Sequence, residues 1–418
     1  MTNQRSHLDE RNAAIRIIDR LRDADHIAYL AGGCVRDQLL GVIPKDYDVA
    51  TDARPEQISN LFERTAAVGA AFGVMLVRDF GPSIEVATFR SDGPYSDSRR
   101  PDHVHFSTPE MDAQRRDFTI NALFLDPRDD GDQIIDFVGG KSDIDSKILR
   151  AVGNPEARLQ EDHLRALRAV RFSARYGLSI DAMTSNAILA HASDLVGVSI
   201  ERIGDEVHKM MNHRTRLRAA ELMEILTLDR AIFSDHSMSN THDALCDIDD
   251  SAHATTALAA WAFDRYGSRV LSRQGASQTS WATKLDMSNS QSEHFINVLE
   301  ITGILIADWD SMNIAQRKRL ASRTHAQEAL KLLAALDSNL TSHILNNIGS
   351  MSSDGIGLEP EPMINGQTLI EMGHAPSRTF KDVLDRVYNA QLEGRIVNPE
   401  SARKLAQELF IMPDKSDQ

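Results

Sequence analysis

Cysteine is scarce: Cys34 and Cys246 are the two in 418 residues. So few, so far apart, they exclude a disulfide-stapled scaffold and a zinc cluster of the CxxC type, and they fit a reducing compartment. Long apolar runs are missing as well. Nowhere do the roughly 18 apolar residues of a membrane span stand together, and Met1 to Arg11 is polar and charged, without the apolar region of a secretory signal. A cytoplasmic protein with no membrane partner is expected. Basic charge is not in excess either, since 46 Lys and Arg stand against 61 Asp and Glu, a formal net charge of −15. A global polyanion binder has a different balance, but phosphate contacts depend on local field, so the placing of the arginines decides. Internal repeats and long low-complexity tracts are absent too. What is there is a globular balance, 42% hydrophobic and 26% charged, in a chain long enough for about two to four domains.

Apolar residues from Leu8 to Leu21 recur at helical spacing, and His26 to Ala31 reads as an extended run into the turn Gly32-Gly33. Tyr47–Ala50, Val74–Arg78, Ser83–Phe89 and Ile134–Phe137 are further strand candidates, with turns at Gly81-Pro82 and Gly139-Gly140. After Arg150 long amphipathic segments take over, so a mixed α/β part is followed by a helical remainder. Asp235–His253 reads as a loop, and Asn347–Pro362 as a linker before a final helical unit.

In Lys45-Asp46-Tyr47-Asp48, two carboxylates stand two residues apart, and strand alternation puts both on one face, about 7 Å apart. Such a pair can bring hard oxygen ligands to one or two Mg²⁺ ions, which in phosphoryl transfer neutralise phosphate charge and align a hydroxyl with leaving pyrophosphate. Taken alone, Asp-x-Asp is equally a pair of exposed carboxylates at a strand end. Upstream, the glycines of Gly32-Gly33-Cys34-Val35-Arg36-Asp37 let backbone N–H groups approach an anion, with Arg36 one turn later as a charged fork. A tight structural turn with an Arg36–Asp37 surface pair accounts for the same residues.

Together these runs resemble the head-domain signature of class II tRNA nucleotidyltransferases, the CCA-adding enzymes and bacterial poly(A) polymerases. The resemblance implies that Asp46 and Asp48 are catalytic metal ligands and that Gly32, Gly33 and Arg36 bind the nucleotide triphosphate. It also implies an α+β fold: a nucleotidyltransferase head at residues 1–149, with a mixed β-sheet and helices, then an all-α neck at 150–210, body at 211–350 and tail at 351–418.

Arg115-Arg116-Asp117 stands before an apolar run that reads as a helix with Asp117 as its cap. It is similar to the family motif in which the Arg116–Asp117 pair recognises the ribose 2′-hydroxyl, since a hydroxyl both donates to a carboxylate and accepts from a guanidinium. From Glu161 to Phe172, at about 100° per residue, Leu164, Leu167, Val170 and Ala174 form a buried stripe. Asp162, Arg165, Arg168 and Arg171 wind along the other side, as a solvated face with an Asp162–Arg165 pair or as the protein template for the incoming base that the resemblance implies. Cytosine and adenine both offer an exocyclic N–H₂ beside a ring acceptor, which a carboxylate beside a guanidinium complements. Uracil and guanine reverse that order, at roughly 1–3 kcal/mol per mismatched contact.

The polar stretch Arg90–Pro101, with Asp92, Gly93, Tyr95, Asp97, Arg99 and Arg100, resembles the flexible loop that CCA-adding relatives need for switching from C to A. Glu85 is a candidate third carboxylate near the metals, or one half of a strand ion pair. Ser199, Arg202 and Glu206 resemble the motif after the neck and read as structural, with Ser199 as cap. Asn365–Leu369 through Gln391–Gly394 looks like the tail segment that holds the tRNA elbow, although Ser377 stands where relatives commonly have glycine. His242, with His236 and His253, invites comparison with a metal-dependent phosphohydrolase domain, but histidines crowded into one polar loop lack the rigid support of ligands. Arg317-Lys318-Arg319 with Arg323 reads as a contact to a tRNA backbone or, by preference, as a solvated helix face.

The function so implied is metal-dependent addition of C, C and A to the tRNA 3′ end from CTP and ATP, with Mg²⁺ as cofactor, tRNA as partner and no DNA. A poly(A) polymerase is the alternative of the same chemistry, disfavoured by the ending Pro413-Asp414-Lys415-Ser416-Asp417-Gln418, where those relatives often have an arginine-rich tail. A catalytically inactive RNA-binding module is the alternative of another class.

Overall fold

The computed structural model of the protein describes residues 2–69, 72–95, 101–128, 131–234, 241–272 and 276–411, leaving out the side chains of residues 2–7 and 276–279. Two units emerge, Met1–Asp235 and His236–Gln418.

In the first unit, α1 (Thr2–Arg22) buries Ala13, Ala14, Ile17, Ile18 and Leu21, most of the run anticipated from the spacing, while Leu8 at its start is exposed. There follow β1 (Ala28–Ala31), α2 (Gly33–Leu39), β2 (Asp48–Thr51), α3 (Pro55–Leu61), β3 (Thr65–Gly69), β4 (Val74–Val77) and β5 (Ile84–Thr88). The hairpin β6 (Arg90–Asp92) with β7 (Val104–Phe106), then α4 (Pro109–Gln114), β8 (Leu123–Asp126), β9 (Gln133–Asp136), α5 (Gly140–Asp145) and β10 (Ile148–Leu149) complete the α/β part.

Seven strands pair in the order β3-β4-β5-β2-β1-β8-β9. Every neighbouring pair is antiparallel except β2 with β5, where Val49 lies beside Val86. Ala31, Ala50, Phe89, Ala122, Phe124 and Val152 build a core against the sheet. The segment after Asp117 departs from the expected helix. Only the single 3₁₀ turn Thr119–Asn121 forms, preceded by Phe118 with no side-chain cap, and the chain then enters β8, all four of whose residues are buried. A short continuous apolar run has the same periodicity in a buried strand as in a buried helix, and the strand pairs on both edges.

The rest of this unit is helical apart from a two-residue strand: α6 (Pro155–Glu161), α7 (Leu164–Tyr176), β11 (Ser179–Ile180), α8 (Ala182–His191), α9 (Ile200–Met211), α10 (Arg216–Ile225) and α11 (Leu228–Phe233). The expected stripe Leu164, Leu167, Val170 and Ala174 is buried. The continuous helix from Glu161 is not formed, because the chain breaks at Asp162 and His163. Asp162 takes an extended backbone and its carboxylate accepts from the Leu164 amide, offering the main chain a partner that the helix would otherwise supply.

The second unit contains α12 (Asp243–Asp247), α13 (Ala254–Tyr266), α14 (Ala276–Lys284), α15 (Asn289–Ala307), α16 (Ile314–Ala321), α17 (Ala326–Leu336), α18 (Ser338–Ser352), α19 (Gly366–Glu371), α20 (Thr379–Leu392) and α21 (Pro399–Ile411). One core gathers Ile301, Leu305, Trp309, Leu330, Leu333 and Ile344, and another Leu369, Val383, Val387, Ala390, Ala402 and Ala406. Three expectations need correction here. The loop Asp235–His253 contains α12, held because the Ala244 and Leu245 amides donate to Asp264. The first six residues of the supposed linker belong to α18. The basic run is pinned rather than solvated: Lys318 is fully buried with its ammonium on Asp354, Arg317 donates to the Trp309 and Asp310 carbonyls, and Arg319 to Asn389 and Asp385. Among the described residues no helix is long and apolar enough to cross a membrane.

Candidate active site

Asp48 opens β2, and the parallel register of β2 with β5 sets it beside Glu85. Asp46 lies two residues before Asp48, just ahead of the strand rather than in it. Asp46, Asp48 and Glu85 line one cleft of about 270 Å³. Burial first, then the charges of Glu85 and Asp46, push the Asp48 carboxyl up to about 6, with Arg116 opposing. This is an acidic group short of counter-charge. In phosphoryl-transfer sites Mg²⁺ takes one or two carboxylates and completes its shell with water and substrate phosphates, a requirement that two aspartates with a glutamate beside them fit. Among the described residues no three His, Cys, Asp or Glu side chains close a ligand set by themselves.

Asp48 also lines a second cleft, of about 900 Å³, within the ~300–1,000 Å³ typical of ligand sites. There it meets Gly32, Gly33, Arg36, Arg116, Asp117, Asp162, Arg165 and Arg168, nearly the whole set singled out from the sequence, with Asp92 and Tyr95. Arg171 is not among the lining residues. Gly32 has φ +70°, a turn conformation that favours glycine, and a Cβ there would stand 2.8 Å from the Arg116 guanidinium.

The charged groups pair differently from expectation. Arg116 and Asp117 do not pair with each other. Arg116 is held by Asp112 at 2.9 Å and donates to the Asn121 carbonyl, while Asp117 accepts two bonds from Arg168, at 2.8 and 2.6 Å, and others from Asn121 and the Phe118 amide. Burial on its own would raise the Asp117 carboxyl, but the Arg168 charge and these bonds hold it at about 2. Asp162 and Arg165 are not an ion pair either. Asp162 reaches Arg202 at 2.7 Å, Arg165 bonds Glu161 and the Arg158 carbonyl, and Arg171 bonds Glu206 at 2.6 Å. The cationic ridge is therefore a row of guanidiniums each tethered to a carboxylate. Arg202 and Glu206 do not pair as i, i+4 neighbours but hold Asp162 and Arg171.

The surface pair Arg36–Asp37 is instead buried. Arg36 donates to Asp37 through Nε and Nη2, to Asn121 through Nη1 and to the Tyr176 hydroxyl, and its guanidinium lies 5.0 Å from the Phe172 ring centroid. The expected loop begins as strand β6, at whose end Asp92 pairs with Arg90 at 3.2 Å and accepts from the Tyr95 hydroxyl at 2.7 Å; burial and that bond raise the Tyr95 phenol. Gly93 lets its amide reach the His103 carbonyl, where a Cβ would come to 2.9 Å. Asp97, Arg99, Arg100 and His236 lie outside the described residues. Sequence reasoning missed Asp112, Asn121, Phe172 and Tyr176. Only Asp112 had a local signal, its i+3 and i+4 spacing to Arg115 and Arg116; the others meet the site through the tertiary fold.

Residues 28–150 match the model of the poly A polymerase head domain. The chain is 46% identical over 200 residues to a CCA-adding enzyme of Lacticaseibacillus paracasei, covering 48% of this chain and 50% of that one. It is 43% identical over 211 residues to one of Bacillus subtilis, covering 50% and 52%. The matched part thus spans about half the length of the curated relatives. The whole fold is similar to the crystal structure of the Bacillus stearothermophilus CCA-adding enzyme in complex with CTP, with TM-score 0.74 and 25% identity over 95% of this chain and 97% of that one. The sheet with its glycine turn and acidic cleft thus lies in the part of the chain that is similar to the poly A polymerase head domain and to the CCA-adding enzymes.

Proposed function

We propose that the protein adds C, C and A to the 3′ end of tRNA from CTP and ATP, releasing pyrophosphate, without a nucleic-acid template. One observation carries this: Asp48 and the pair Asp162 and Arg165 line a single cleft, so an acidic phosphoryl-transfer centre and a base-shaped polar edge face one ligand space. The similarity to a CCA-adding enzyme solved with CTP supports the nucleotide class.

Asp46 and Asp48 would hold Mg²⁺, two ions by preference, with Glu85 as an accessory carboxylate. When bound, such ions neutralise phosphate charge and lower the pKa of the attacking hydroxyl. The chain's own residues do the rest. Gly32, Gly33 and Arg36 receive the triphosphate. Arg116 and Asp117 read the ribose 2′-hydroxyl, Asp117 accepting a hydrogen bond from it in place of one now received from Asn121 or the Phe118 amide. Asp162 accepts from the exocyclic amine of cytosine or adenine while Arg165 donates to the ring nitrogen, leaving uracil and guanine with two mismatched contacts of about 1–3 kcal/mol each. Arg168 and Arg171 support that edge through Asp117 and Glu206. The loop with Asp92, Gly93 and Tyr95 adjusts the space between C and A addition. The tail holds the tRNA elbow, and these substrates put the work in the cytoplasm.

The test is incubation of the protein with tRNA lacking its 3′ end and with CTP and ATP, singly and together, followed by sequencing of the products. CCA ends are expected, and Asp48→Ala should reduce addition at least 100-fold, a loss of about 3 kcal/mol or more of transition-state stabilisation, while tRNA binding stays within about twofold. Equal loss of both contradicts the metal role. Runs of A alone support the poly(A) polymerase alternative, the one that the head-domain match also allows.

A further inference from the structure

Arg36 is anchored by a group that lies far from it in the sequence. The Tyr176 hydroxyl, at the end of α7, donates to Asp37 Oδ1 at 2.7 Å and accepts from Arg36 Nη2 at 2.7 Å. The guanidinium carbon stands 4.6 Å from the Tyr176 ring centroid, and the Tyr176 ring stacks in turn on Phe172 at 6.3 Å. Arg36 Nη1 donates to Asn121 Oδ1, Asn121 Nδ2 to Asp117 Oδ1, and Arg168 on α7 to Asp117 Oδ2. A circuit of hydrogen bonds therefore leaves α7 at Arg168, crosses the head through Asp117, Asn121 and Arg36, and returns to α7 at Tyr176. Two turns of one rigid helix separate its ends, and the same helix carries Arg165.

A free arginine side chain has many rotamers open to it, and most of that freedom is lost on gripping a phosphate. One already fixed in the cleft has lost it beforehand, and preorganisation of this kind raises affinity without a new contact to the ligand. We infer that Tyr176 is a positioning residue for the phosphate site: it holds Arg36 in the cleft, so that the helix presenting the base edge also sets the grip on the phosphate chain. This rests on the role proposed above for Arg36, and it adds a residue to which that role assigns nothing.

The experiment measures equilibrium binding of CTP, UTP and inorganic tripolyphosphate to the full chain and to Tyr176→Phe, which keeps the ring stacked on Phe172 and removes only the hydroxyl. Tyr176→Phe is expected to weaken CTP and tripolyphosphate alike, by about tenfold, to leave the CTP-to-UTP affinity ratio unchanged, and to add nothing further in an Arg36→Ala background. Unchanged tripolyphosphate binding overturns the inference. So does a loss that persists without Arg36, or one accompanied by a collapse of base selectivity, since either marks a general structural effect. Because the readout is binding, a chain that binds these ligands as expected but fails to extend tRNA removes the proposed reaction and leaves the positioning role intact.

Discussion

At the scale of single residues, the site depends on carboxylates whose environments differ sharply. Asp48 stands among like charges and is pushed up to about 6, while Asp117, enclosed by donors, is held at about 2. The first is a carboxyl short of counter-charge; the second is a fixed acceptor that stays ionised. Asp162 is held outward by Arg202 and by the Leu164 amide. In the role proposed for it, its replacement by alanine removes the acceptor for the exocyclic amine and with it the penalty against uracil. Asp162→Ala is therefore expected to raise UTP incorporation relative to CTP by about 10- to 100-fold, from the ~1–3 kcal/mol of one mismatched contact, read by single-nucleotide extension of trimmed tRNA. Unaltered discrimination removes the template role of this residue.

At the scale of elements, α7 is the structural centre of the site, since it carries Arg165 and Arg168 into the cleft and closes on Arg36 through Tyr176. It is held by apolar packing: Leu167 and Val170 are fully buried. Leu167→Ala should cost about 2–5 kcal/mol in urea unfolding of the N-terminal unit, by lost burial and a residual cavity; a cost below about 1 kcal/mol contradicts the packing described for this helix. This element also marks what the sequence makes legible. Its buried stripe and the strands around Asp48 follow from periodicity and turn residues, which are local, while the grouping of the cleft residues follows from the family resemblance. The break at Asp162 is hidden because a side chain, not the hydrophobic pattern, decides it. Ion-pair partners are hidden too: Arg168 finds Asp117 and Arg171 finds Glu206 across 51 and 35 residues, and only the folded chain brings them together. β8 escapes for a third reason, its apolar run having no period to separate strand from helix.

At the scale of the whole molecule, a net charge of −15 coexists with a cleft lined by six arginines and four aspartates among the described residues. Global acidity and a local anion site are compatible because the arginines are concentrated where the helices meet the sheet. The C-terminal unit carries a separate electrostatic feature. His294 lies between His253 and His325, ring centroids 4.8 and 4.5 Å away, and burial followed by the charges of His325 and His253 lowers it to about 4. A depressed histidine favours the neutral form in the fold, whereas the unfolded chain binds its proton near 6.5, so this contribution is complete above about pH 6.5 and is lost as pH falls toward 4. A fully enclosed ring would contribute about 3 kcal/mol; solvent screening of this half-exposed one reduces that to roughly 1 kcal/mol. Denaturant unfolding at pH 7 and pH 4.5 should show the wild type losing about that much more than His294→Gln, and equal losses contradict the assignment.

The central claim is that side chains, rather than a nucleic-acid strand, present the edge that selects the base. A crystal structure of the protein with CTP and Mg²⁺ tests it most directly. The account predicts the exocyclic amine of cytosine within hydrogen-bonding distance of the Asp162 carboxylate, its ring nitrogen facing Arg165, and the triphosphate running toward Arg36 and Asp48. A cytosine ring seated away from Asp162 and Arg165 contradicts it.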